Sequence, residues 1–284
     1  METTKGYGLC KLGGIEVIMK TLVVFGAIAI GLLAFAQSPV PNPATAHAPD
    51  GGTFTRIQSI AVLPLTNASF SATVTTEWTR ILADESTATV KNHRMVARDN
   101  TGRIFEERRA FSPDGDTQPT QITALEYSDP NLHEFLSCIP AQRICYLSTY
   151  PRPPMSAMPN GMGGLELCGC ATPPGPGYSV KQEALGQQTI ENLDATGSRE
   201  ITTLPAGQFG NARSEPIVKE FWYSPRLGLN LITKRFDPRS GSENFIVNHL
   251  SLNEPDPRIF EPPADYQVVR QVVVKQGTAQ TQSK

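Results

Sequence analysis

Thr73-Val74-Thr75-Thr76-Glu77-Trp78-Thr79-Arg80-Ile81-Leu82 is the stretch that decides the fold class. Side chains of a strand alternate between two faces, so Val74, Thr76, Trp78 and Leu82 share one face and Thr75, Glu77 and Thr79 the other. That is a half-buried β-strand, dense in the β-branched residues that pack well on a pleated surface. Ala83-Asp84-Glu85 interrupts it, and residues 87–98 are again rich in Thr and Val. Asp99-Asn100-Thr101-Gly102 supplies the next turn before a third run at 103–111. Three strands of an antiparallel meander follow.

Working outward, residues 122–127 and 143–150 are short strand candidates, separated by Asp129-Pro130 and the segment 132–136. Apolar or β-branched runs at 178–190, 199–204, 217–223, 229–236 and 244–252 alternate with turn residues such as Asn192, Gly197, Gly207 and Pro225. A strand roughly every ten residues fits a meander. Asp256-Pro257-Arg258-Ile259-Phe260 predicts one helical turn, stopped by Pro262-Pro263. No long stretch carries the 3.6-residue period of an amphipathic helix, which excludes a βαβ architecture.

The N-terminal part has another logic. Met19-Lys20 precedes an apolar run at 21–35, and Ala34-Phe35-Ala36 before Gln37 has the small-x-small pattern of a cleavage site. Residues 1–36 are therefore expected to be a leader containing a signal peptide, with Met19 as the true start and cleavage between Ala36 and Gln37. The expected location is periplasmic or secreted, with membrane contact only through the signal segment if it stays uncleaved. Residues 37–52 are expected to form a flexible lead-in, 53–275 a single β domain, and 276–284 a disordered tail. Residues 151–177, with Pro153-Pro154, Gly163-Gly164 and Pro173-Pro174-Gly175-Pro176, form an inserted loop.

Hydrophobic residues make up 39% of the 284, enough for a real core, while the 25 basic and 27 acidic residues are balanced and scattered. Nucleic-acid binding needs dense basic patches, so that class is excluded as a partner. Cys138, Cys145, Cys168 and Cys170 form an even set for an oxidising compartment, where thiols pair. A zinc site of four thiolates is the lesser alternative. A bond between Cys168 and Cys170 would be strained, so each is expected to reach back to Cys138 or Cys145. Cys168-Gly169-Cys170 also suits thiol redox chemistry.

Other motifs fail as sites. His133-Glu134 begins like the helical zinc motif, but position 137 is Ser. His93 and His249 sit in predicted strands and could meet across the sheet, but single histidines are expected to be ordinary packing or surface residues. Asp114-Gly115-Asp116 lacks the remaining oxygen ligands of a calcium loop and reads as a turn. Arg103, Arg108 and Arg109 beside Glu106 and Glu107 read as a solvated face of alternating charge. No catalytic motif, metal site or cofactor site is expected, and the chain reads as a non-enzyme.

Several signatures nevertheless resemble a known group. Glu77-Trp78-Thr79-Arg80, Ala97-Arg98-Asp99, Ala195-Thr196-Gly197-Ser198-Arg199, Glu220-Phe221-Trp222-Tyr223-Ser224, Asp237-Pro238-Arg239 and Phe260-Glu261-Pro262-Pro263-Ala264-Asp265-Tyr266 resemble uncharacterised exported proteins of Acidobacteria. That group is distantly similar to the superfamily of outer-membrane lipoprotein carriers and related sigma-factor regulators. The resemblance implies a mainly β fold: a curved antiparallel meander, or half-open barrel, with few short helices and a long Cys-bearing loop.

The function implied is an exported, non-enzymatic binding module of the cell envelope holding a lipid, another apolar ligand or a partner segment. Trp78, Phe221, Trp222, Tyr223, Phe245 and Phe260 are the candidate ligand-facing residues, with an ordinary core as their competing role. A structural or regulatory module that docks an envelope protein is the alternative, and a thiol-redox protein the third.

Overall fold

The computed structural model describes His47, Ala48 and residues 60–150, 179–207 and 210–271. Expectations for Met19, for cleavage between Ala36 and Gln37, for Cys168, Cys170 and the 151–177 loop, and for the 276–284 tail lie outside these residues.

The strands are β1 (Phe70–Ile81), β2 (Thr87–Arg98), β3 (Ile104–Arg109), β4 (Ile122–Asp129), β5 (Glu134–Ile139) and β6 (Ile144–Thr149), then β7 (Ser179–Ile190), β8 (Leu193–Leu204), β9 (Glu215–Ser224), β10 (Leu229–Asp237), β11 (Gly241–Ser251) and β12 (Gln267–Arg270). They form one open, curved sheet in the order β12-β6-β5-β4-β3-β2-β1-β11-β10-β9-β8-β7. All neighbours run antiparallel except β12, which lies parallel to β6. The sheet is thus two meanders joined where β1 meets β11. The mainly β, half-open reading describes it. Among the described residues, no helix is long and apolar enough to cross a membrane.

The turns explain the chain reversals. The Asp99 carboxylate accepts from the backbone N–H groups of Thr101 and Arg103, both at 2.9 Å, while Gly102 takes φ 89°. Asp129 caps the β4–β5 turn in the same way, accepting from Asn131 and Leu132. Glu191 and Asn192 (φ 49° and 62°) make the two-residue turn between β7 and β8, where both positions must be left-handed.

Three expectations are corrected. Segment 132–136 does not merely separate strands, since Glu134–Ile139 is β5, pairing with both β4 and β6. β8 begins at Leu193 rather than at 199, because the tight turn launches pairing at once between Leu193 and Ile190. β12 was not anticipated, for Val268 and Val269 form too short an apolar run to stand out. The helical turn at Pro257–Phe260 is present as a 3-10 turn, capped by Asp256.

The apolar residues collect in two clusters. One gathers Phe70, Ala72 and Val74 of β1, Val96 of β2, and Phe245 and Val247 of β11, with Leu227, Leu229 and Leu231 around the start of β10. The second gathers Ala97, Phe105, Tyr127, Cys138 and Cys145, with Phe260 of the 3-10 turn laid against them. Full burial of one residue such as Phe70 contributes about 2 kcal/mol.

Candidate functional site

Strand register brings widely separated residues into straight rows on one sheet face. The first row runs Ala184, Ser198, Phe221, Thr233, Phe245, Thr76 and Asn92, from β7 across to β2. The next runs Gln182, Glu200, Lys219, Arg235, Glu243, Trp78 and Val90. Phe221 and Phe245 therefore share a face with Thr233 between them, and Trp78 lies one row along. Tyr223, two residues from Phe221, shares that face opposite Asn230.

Trp222 and Phe260 do not join them. Trp222 is the strand neighbour of Phe221, so it projects from the other face, where its ring lies over Gly197. A Cβ on Gly197 would stand 2.7 Å from that ring, so only glycine admits it. Phe260 belongs to the second cluster, with Phe105 and Tyr127. The expected aromatic set is thus divided between two faces.

The shared face is more polar than the aromatics suggest. Lys219, Arg235, Glu243, Thr76 and Thr233 are all buried. Arg235 pairs with Asp237 at 2.9 Å, and Arg80 with Glu243 at 3.2 Å. Burial pulls Arg235 below its usual range, although Glu243 and Asp237 oppose that. Farther along the sheet, Arg94 meets Glu106 at 3.2 Å and Arg108 meets Glu126 at 2.8 Å. The expected solvated face of charge is corrected in part, since Glu106 is sequestered against Arg94 on this face and Arg109 and Glu107 pair half-buried on the other, whereas Arg108 stays partly exposed. Several buried polar atoms of the face have no hydrogen-bond partner among the described residues: Ser198 Oγ, Thr233 Oγ1, Arg235 Nε, Asn92 Oδ1 and Trp78 Nε1.

Two lead-in residues are seated on this face. The backbone N–H of Ala48 donates to Asn230 Oδ1 at 3.0 Å, and Asn230 Nδ2 donates back to the Ala48 carbonyl at 2.9 Å. The His47 ring stacks on Phe221 with centroids 3.9 Å apart and planes 8° from parallel. His47 Nε2 lies 3.1 Å from Glu200 Oε1, and Nδ1 lies 2.7 Å from the Ala48 carbonyl oxygen. Burial raises the Glu200 carboxyl, but the His47 contact and nearby Lys219 hold it below its usual range. His47, Glu200 and Asn230 are absent from the sequence-derived set. Asn230 leaves one signal, as the lone polar residue in the run Leu229-Asn230-Leu231.

The remaining motifs resolve simply. Cys138 bonds to Cys145, so the expected pairing of Cys168 and Cys170 with these two is corrected. The β5–β6 register sets the two cysteines directly opposite one another, which their spacing alone does not reveal. That bond also removes two ligands from the four-thiolate zinc reading. His93 Nδ1 donates to the Gly115 carbonyl oxygen at 2.9 Å, and the residue across β1 from it is Ile246, not His249. Asp116 pairs with Lys91 at 2.8 Å within the turn. His133 sits in a turn at φ 56°, edge-on to Tyr150, without helical context.

A pocket of about 180 Å³ opens elsewhere, lined by Arg103, Tyr127, Asp129, Leu132, Leu136 and Phe260 among others. It is smaller than the roughly 300–1,000 Å³ usual for small-molecule sites.

No protein-family model matches the chain, and no curated protein does. Among solved structures, an uncharacterised conserved protein of Thermus thermophilus shares 11% identity over 72% of this chain and 91% of its own, with a TM-score of 0.37. MucB shares 13% over 72% of this chain and 60% of its own, with a TM-score of 0.30. A LolA-superfamily protein of Nitrosomonas europaea shares 10% over 69% and 92%, with a TM-score of 0.25. Likeness at this level gives the chain neither a family nor a ligand.

Proposed function

We propose that this chain is an exported, non-enzymatic binding module of the cell envelope whose polar sheet face holds an elongated ligand. The carrying observation is the seat of His47-Ala48: side chains of β8, β9 and β10 already grip two consecutive residues of chain, one by its backbone and one by its ring.

The ligand's chemistry follows from the face. Buried Phe221 and Phe245 and half-buried Trp78 make the apolar part of this face, whereas Ser198 Oγ, Thr233 Oγ1 and Arg235 Nε are buried atoms with no partner among the described residues. Each such group left unmatched costs about 1–3 kcal/mol, so a bare hydrocarbon chain suits this face poorly. A ligand with alternating apolar and hydrogen-bonding groups suits it well. A partner segment is therefore favoured over a lipid acyl chain.

The test is native mass spectrometry, followed by lipid and peptide extraction, on protein purified from its own envelope. A stoichiometric bound mass is expected, and its extract distinguishes lipid from peptide. A clean apo mass, unchanged on incubation with envelope extract, would overturn the reading.

A further inference from the structure

We infer that Asn230, Phe221 and Glu200 form a recognition site for extended polypeptide in which an imidazole residue precedes a small one, and that His47-Ala48 is its intramolecular occupant. This rests on the reading that the sheet face holds an elongated ligand, and it names the ligand's class and contact points.

Main-chain recognition comes first. The Asn230 amide engages both the N–H and the carbonyl of Ala48, as a neighbouring strand would, so it reads backbone rather than side chain. Selectivity comes from the flanking groups. Ala48 is itself buried, which limits that position to a small residue. The preceding ring needs an aromatic face for Phe221 and a donor for Glu200. Both atoms facing the ring nitrogens, Glu200 Oε1 and the Ala48 carbonyl oxygen, accept only. The doubly protonated imidazole satisfies both at once. Of the charged groups about this ring, Glu200 of β8 faces it at 3.1 Å, and Lys219 of β9 acts on that same carboxylate.

The site also has unused capacity. Ser198 and Thr233 flank Phe221 in the same row, and their buried hydroxyls make no hydrogen bond among the described residues. Buried polar groups are rarely left so, and here they border the seat of a polypeptide.

A tethered occupant competes at a local concentration of order millimolar, which shields the site from dilute partners. The test uses the full chain and a fluorescein-labelled nonapeptide of residues 44–52, Ala-Thr-Ala-His-Ala-Pro-Asp-Gly-Gly. His47→Ala in the chain weakens the internal occupant, and the free nonapeptide is then expected to bind about ten-fold tighter than to the unaltered chain. Binding should weaken when the peptide's own His is replaced by Ala, when Glu200→Gln is added to the chain, and when pH is raised from 5.5 to 8. Glu200 is only half-buried, so this variant keeps the test valid should Asn230→Ala fail to fold.

Equal affinity for both chains, no binding to either, or indifference to Glu200→Gln would overturn the site. A co-purified lipid together with a failed nonapeptide would sink this inference and leave the binding-module reading standing. A clean apo mass together with a failed nonapeptide would sink both.

Discussion

Arg98 Nη2 donates to the carbonyl of Leu227 at 2.7 Å, joining residues 129 positions apart in the chain. The same guanidinium donates from Nε to Ala68 and from Nη1 to Leu63, at 2.8 and 2.7 Å, and lies 5.1 Å from the centre of the Phe70 ring. It is completely buried, and burial pushes its pKa down to about 10, which leaves it charged at neutral pH. Arg98→Lys keeps the charge but not the planar fork that reaches three carbonyls. The expected loss is about 2–4 kcal/mol in urea unfolding. A change under about 0.5 kcal/mol would show that the three contacts are replaceable.

Cys138 and Cys145 are both fully buried in the second cluster. Replacing both by Ala is expected to cost about 2–3 kcal/mol, the closure entropy of a short loop plus some lost packing. Mild reductant without denaturant should leave this bond intact, because attack needs an accessible sulfur. Thiol counting after brief dithiothreitol treatment checks it, and free thiol at either position would mean that this part of the sheet opens readily.

Gly241 begins β11 at φ 103°, and a Cβ there would stand 1.9 Å from the Thr79 carbonyl oxygen on β1. Gly241→Ala is expected to cost about 3 kcal/mol or more, since backbone on both sides must shift. Gly207 is the control: it also has positive φ, 81°, but open space around it, so Gly207→Ala should cost roughly 1 kcal/mol. Equal melting temperatures for the two variants would contradict the contact with Thr79.

Asp99 and Asp237 are buried carboxylates expected to add to acid sensitivity. Burial raises both carboxyls, but bonds from Arg103 and Thr101 to Asp99, and from Arg239 to Asp237, outweigh it and hold both below their usual range. A carboxyl lowered in the native state stabilises the fold above its unfolded value near 4, and that stabilisation is lost as pH falls through the native value. Urea midpoints should therefore hold between pH 7 and 5 and drop below about pH 4. Asp99→Asn should lower the neutral-pH midpoint and shrink the acid drop; an undiminished drop would assign acid sensitivity elsewhere.

The first meander was legible because alternation in β1 and β2 coincides with strong turn chemistry at Asp99 and Gly102. β5 was hidden because segment 132–136 read as a separator between two stronger runs, and its strand character depends on partners on both sides. The opposed faces of Phe221 and Trp222 were present in the sequence, since adjacent strand residues cannot share a face. Which face is charged was not, because the row from Glu200 through Lys219 and Arg235 to Glu243 exists only once four strands are in register. The seat of His47 depends on a contact spanning 182 residues, from Ala48 to Asn230, beyond any local pattern.

β1 stands mid-sheet, between β2, which follows it at once, and β11, which the ribosome makes last but one. The outer edge of the first meander is finished by β12, the final strand. Pairing within each meander is local in sequence, whereas the β1–β11 seam and the β12–β6 edge join strands far apart in the chain, so these two contacts carry the high loop-closure cost of the fold.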